Sequence, residues 1–138
     1  MTKRLVKPWV ILFFIALTNQ LSAQTDNRIS TIDFVQVLDN NHQETIYYYQ
    51  NNWQVLREAA LANKYIHSYQ LLETPFTEEA PFQIMLVTTY ADEQQYQHRE
   101  EHFKQLIDQK GGLQLMNEKQ PGEFRQVIYN KEQVKHWK

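Results

Sequence analysis

The sequence predicts an α+β sandwich, a four-stranded antiparallel sheet carrying two helices on one face. Three observations predict it. Four short segments rich in β-branched and aromatic residues alternate with two longer segments of helical periodicity, in the order βαββαβ. Once an N-terminal leader is set aside, 115 residues remain, enough for one domain around one core. No repeat, low-complexity tract or shift of composition divides those residues.

The leader comes first. Lys3, Arg4 and Lys7 make a basic start, "WVILFFIAL" (9–17) is a short apolar run, and "TNQLSAQ" closes it with the small pair Ser22 and Ala23. That order is the pattern of a secretory signal peptide over residues 1–23, with cleavage expected after Ala23. Nine apolar residues span about 14 Å as a helix against a ~30 Å hydrocarbon core, so no membrane insertion is expected after cleavage. The expected destination is the periplasm or the exterior. The chain has no cysteine, which removes disulfides, thiol nucleophiles, thiolate metal sites and a lipoprotein anchor together.

Residues 24–28 form a polar N-terminal segment, and 29–138 the single domain. "ISTIDFVQVL" (29–38) predicts the first strand. Asn41 and Glu44 have capping-box spacing and open a helix running to about Lys64. "YIHSYQLLET" (65–74) predicts the second strand, ended by Pro75, and "FQIMLVTTY" (82–90) the third, opened by Pro81. Asp92 and Gln95 start a second helix that Gly111-Gly112 stops near Lys110. A connector with the turn signal Pro121-Gly122 leads to the last strand, "EFRQVIYNK" (123–131). This is the ferredoxin-like, split-βαβ arrangement.

Loss of the leader takes three basic residues and no acidic one, so the formal net charge moves from −2 to −5. An acidic chain suits neither a phosphate backbone nor an anionic lipid surface. The same strand order occurs in RNA-recognition motifs, but the third strand holds no Lys or Arg, so no nucleic-acid partner is expected. Three glycines without cluster spacing exclude a phosphate loop or dinucleotide fingerprint.

The strands carry a second message. Phe82, Ile84 and Leu86 alternate with Met85 and Val87, and Ile32, Phe34 and Leu38 with Val35 and Val37, so both faces of the sheet are apolar. A sheet with helices on one side and water on the other should alternate cleanly. The chain holds no further element to cover the second face, and a sheet-to-sheet homodimer is the expected cover. A ferredoxin-like chain with a two-faced apolar sheet resembles the dimeric α/β-barrel superfamily, which includes antibiotic-biosynthesis monooxygenases, stress-responsive A/B barrel proteins and NIPSNAP-like domains. The resemblance covers residues 29 to about 131 and rests on topology and burial pattern. It implies a ligand pocket between the sheet and the two helices of each subunit.

Helical periodicity ranks the candidates for that pocket. In "YYYQNNWQVLREAAL" (47–61), Ile46, Tyr49, Trp53, Leu56 and Ala60 share one stripe, while Tyr48, Val55, Ala59 and Ala62 widen it. Tyr47 falls with Gln50, Gln54 and Glu58 on the wet side, so most of these aromatics are expected in the core. Asn52 interrupts the apolar arc, and a buried amide needs partners. In the second helix Tyr96, Arg99, Phe103 and Leu106 align, so Arg99 stands where a hydrophobe belongs. It either pairs with Glu100 or another carboxylate or floors a pocket for an anion. The expected ligand-site set is Tyr48, Asn52, Trp53, His67, Tyr96 and Arg99, for a small aromatic or anionic molecule. If Asn52 and Arg99 are structural, Asn52→Leu and Arg99→Met are expected to be neutral or stabilising.

"HREEH" (98–102) has the H-x-x-E-H spacing of inverzincin metalloproteases, with His98 and His102 on one helix face and Glu101 between them. Only 36 residues follow and none supplies a convincing third ligand, so the expectation is a solvated face with at most adventitious metal binding. The resemblance also implies an enzyme alternative. Some superfamily members oxidise aromatic substrates or degrade haem using an Asn, a Trp and a His without further cofactor. Asn52, Trp53 and the histidines supply those residue types but not a family spacing, so no roles are carried over. A third possibility is an interaction subunit with a filled core.

Overall fold

The computed structural model describes residues 26–138. The signal peptide expected over 1–23 lies outside the described residues. Strands β1 (Ile29–Val37), β2 (Ser68–Glu73), β3 (Ile84–Tyr90) and β4 (Arg125–Lys135) form one sheet in the order β2-β3-β1-β4, every pair antiparallel. That is the ferredoxin-like order expected from the sequence.

Register assigns the two faces, because directly paired residues share a face. Ile29, Thr31, Asp33 and Val35 of β1 stand beside Tyr90, Thr88, Leu86 and Ile84 of β3, on the helix side. Two clusters of buried residues divide this interior. One gathers Ile29, Ala60, Ile66, Tyr90, Tyr96 and Leu106, and the other Val35, Tyr49, Ile84 and Leu86. The opposite face carries Ile32 and Phe34 beside Val87 and Met85, with Leu72 and Tyr129 extending it across β2 and β4. Phe34 packs edge-on to Phe82 at 4.8 Å between ring centroids. Leu72 and Tyr129 remain 37% and 54% exposed, so the described residues leave this face partly uncovered.

The first helical segment is not one regular helix. Helix α1 (His42–Tyr48) runs into a π-helical turn (Tyr49–Trp53) and then α2 (Gln54–Ala62). The Gln54 N–H reaches back five residues to the Tyr49 carbonyl. The side-chain amides of Asn51 and Asn52 donate to the carbonyls of Tyr47 and Tyr48, each at 2.8 Å, taking positions that backbone N–H groups fill in a regular helix. The wide turn changes the helical phase. Tyr48 and Val55 are seven apart and share a face on an α-helical wheel. Here Tyr48 packs against the buried cluster around Tyr49, whereas Val55 is 41% exposed.

Several boundaries also differ from expectation: β2 starts at Ser68 rather than at Tyr65, and β4 runs on to Lys135 rather than ending at Lys131. Asn41 makes no capping bond to its helix; its amide donates to the Leu38 carbonyl instead, at 2.9 Å. The second helix breaks at His98 into α3 (Glu93–Gln97) and α4 (Arg99–Lys110). Asp92 caps it as expected, accepting from the Gln95 N–H at 2.9 Å, and Gly111 ends it at φ +83°. A short helix α5 (Pro121–Phe124) takes the place of the start of the last strand, with the Glu123 carboxylate accepting from the Gln120 N–H at 2.7 Å.

Candidate functional site

A cleft of about 680 Å³ opens between the sheet and the helices α2 and α4. β1 contributes Thr31 and Asp33, β3 Tyr90, α2 Arg57, and α4 Arg99 and Phe103. Arg57 is the residue that sequence reasoning passed over. It lies four residues after Trp53, on the apolar stripe, which was the available signal. Its guanidinium packs 4.7 Å from the centroid of the Trp53 ring and 4.1 Å from that of Phe103. Its Nε–H donates to Thr88 Oγ1 at 3.0 Å, the one hydrogen bond it makes among the described residues. No carboxylate among them lies within 4.0 Å of it. Burial lowers its pKa to about 10, while Tyr90 and Asp33 act in the opposite direction, so the group stays charged at neutral pH. Burial in turn pushes the Tyr90 phenol up, against the pull of Arg57 and Arg99.

Arg99 is paired with carboxylates, one of the two arrangements expected of it. Its guanidinium lies 4.0 Å from the Tyr96 ring centroid, donates to the Tyr96 carbonyl at 3.0 Å, and pairs with Glu132 at 3.5 Å and Glu100 at 4.0 Å. It also lines the cleft, so it is a paired cation beside a less committed one. Tyr96 is buried beneath it.

Tyr48, Asn52 and Trp53 meet elsewhere, around a smaller cavity of about 240 Å³ bordered by Leu56, Ile107 and Leu113. Asn52 is fully engaged there. Its amide nitrogen donates to the carbonyls of Tyr48 and Gln114, both at 2.8 Å, and its oxygen accepts from the Gln114 N–H at 2.8 Å and Lys110 Nζ at 3.0 Å. These bonds hold the connector after α4 against the π-turn. A leucine at this position would leave the connector's N–H and two carbonyls unpaired. Asn52→Leu is therefore expected to destabilise by on the order of 2–4 kcal/mol, read as a lower urea midpoint. The neutral outcome expected of a structural Asn52 assumed that its partners could do without it, and four bonds from one amide remove that assumption.

The histidines stand apart from both cavities. His67 is exposed before β2, its backbone N–H bonded to the Thr89 carbonyl. His98 Nδ1 is 2.8 Å from the Gln94 carbonyl, and the His102 ring stacks on Tyr65 at 3.7 Å. Glu101 instead lines the large cleft. No group of three or more His, Asp or Glu side chains placed to hold a metal occurs among the described residues. No histidine lines either cavity, so the residues around them do not fit an axial ligand to haem.

No protein-family model matches the chain, and no curated protein does. Among solved structures it is similar to an uncharacterized NIPSNAP-like domain protein from Burkholderia xenovorans, over 80% of this chain and 87% of that one, at 8% identity and a TM-score of 0.50. A putative antibiotic biosynthesis monooxygenase from Bacteroides thetaiotaomicron aligns over 69% of this chain and 90% of that one, at 17% identity and a TM-score of 0.34. The first likeness bears out the class, a ferredoxin-like α+β fold of the kind found in NIPSNAP-like domains. At such identity it speaks for fold alone.

Proposed function

We propose that the protein is an exported homodimer whose subunits each bind a small organic acid in the cleft over Arg57. The observation that carries the reading is Arg57 itself. Arg57 is half-buried, and a guanidinium partly stripped of water is ordinarily paired by a carboxylate. Here two rings cover the cation and one hydroxyl engages its Nε, leaving the Nη1/Nη2 edge for a carboxylate. A planar carboxylate matches that edge with two parallel hydrogen bonds. Phe103 and Tyr90 give the remainder of a small aromatic or apolar acid a surface to lie on.

Dimerisation is proposed from the uncovered side of the sheet, where Ile32, Phe34, Met85 and Val87 lie together on the central strands. Export is proposed from the leader pattern of residues 1–23.

Quenching of Trp53 fluorescence on titration with benzoate and phenylacetate tests the acid site. Saturable binding is expected at neutral pH. It should weaken about tenfold per pH unit once pH falls below the acid's own pKa, near 4–5, because only the anion is recognised. Equal binding of benzamide and benzoate would sink the reading.

A further inference from the structure

The two cavities are neighbours, and their walls differ in kind. The large cleft is charged, with the cations Arg57, Arg99 and Lys104 beside the carboxylates of Asp33, Glu100, Glu101 and Glu132. Among the described residues, Arg57 is the cation there without a carboxylate within 4.0 Å. The small cavity is lined mainly by carbon, from Tyr49, Trp53, Leu56, Ile107 and Leu113. Ile107 of α4 borders both, and it is 51% exposed. Trp53 joins them as well, since it walls the small cavity and lies beside the Arg57 guanidinium. An apolar cavity open to water is an unfavourable feature for a chain of this size to keep. A charged seat one side chain away from it supplies a reason for keeping it.

We infer that the ligand is an amphipathic acid, its carboxylate on Arg57 and its apolar tail passing over Ile107 into the cavity beneath Tyr49 and Leu56. The inference rests on the acid-site reading and adds the direction, length and chemistry of the remainder of the molecule. Asn52 and Lys110 then have a part in ligand binding without touching the carboxylate. Asn52 holds the connector that presents Leu113 through Gln114, and Lys110 holds it through the Gly112 carbonyl, so they position the wall of the tail cavity.

A series of straight-chain alkanoates from butanoate to dodecanoate, titrated beside alkylamines of equal length, tests the inference. Affinity for the acids is expected to rise about fourfold per methylene, the increment of burying one CH₂, and then to level off where the cavity is full. Leu113→Trp narrows the cavity from its exposed edge, where it does not threaten folding, and should move the levelling point to shorter chains. A flat response to chain length, or a levelling point unmoved by Leu113→Trp, overturns the tail site. If the shorter acids still bind and Arg57→Met abolishes that binding, the acid site survives this failure. Alkylamines that match the acids in affinity overturn the inference through its head group. If no acid binds, the acid-site reading falls and the tail site falls with it.

Discussion

Val87→Asp is expected to convert the proposed dimer to a monomer, raising its dissociation constant by at least about 100-fold. Val87 sits on β3 between Ile32 of β1 and Gln70 of β2, near the middle of the sheet's free face. In an isolated chain the new carboxylate would face water and change little. Buried against a second sheet it would be an unpaired charge, and such a group costs about 3–5 kcal/mol. Two-fold symmetry brings the same substitution from the partner, so like charges add to the penalty. Sedimentation equilibrium at micromolar protein reads the result directly. Gln50→Asp, on the exposed side of the π-turn, is the control and should change neither assembly nor stability by more than about 0.5 kcal/mol. A wild-type chain that sediments as a monomer at that concentration would remove the sheet-to-sheet pairing.

The fold was open to sequence reasoning because its signals are local and repeated. Alternation in "FQIMLVTTY" gives a strand whatever its neighbours do, and Asp92 with Gly111-Gly112 marks the ends of the second helix without reference to the rest of the chain. The π-turn was not legible in the same way. A helical wheel assumes one angle per residue, and Asn51 and Asn52 alter that angle by competing for the carbonyls of Tyr47 and Tyr48. The altered phase separates Tyr48 from Val55 and accounts for the overestimated apolar arc.

The candidate site divides along the same line. Arg99 stood out because a cation broke a stripe of aromatics, and it does line the cleft. Arg57 breaks a stripe too, but beside Glu58 and near the wet edge of the wheel it reads as an ordinary surface charge. Asn52 interrupts the apolar arc in the sequence and Trp53 belongs to it, yet sequence spacing could not reveal that both line a second cavity. That assignment depends on the connector after α4, whose path is set by contacts 62 residues apart in the chain.

Arg57→Met carries the largest consequence for the acid site. Methionine keeps the length of the side chain and its contact with Trp53 and Phe103, and it removes the charge. A charge-assisted bidentate contact contributes up to about 3 kcal/mol, so the affinity for benzoate should fall roughly 100-fold. Stability should hold or rise by up to about 2 kcal/mol, because the half-buried guanidinium has no carboxylate in direct contact, only the more distant Asp33, and sulfur–aromatic contacts replace part of the cation–π attraction. Arg57→Lys separates charge from shape. It keeps the cation but loses the planar fork, and it should retain weakened binding with poorer discrimination between carboxylates and other anions. The decisive comparison is therefore urea midpoint against ligand affinity in the same variants. Binding lost while stability is held or raised marks a residue kept for its ligand at the expense of the fold. A loss of more than about 3 kcal/mol in stability with Arg57→Met would show instead that the cation holds α2, α4 and β3 together, and the acid site would lose its main support.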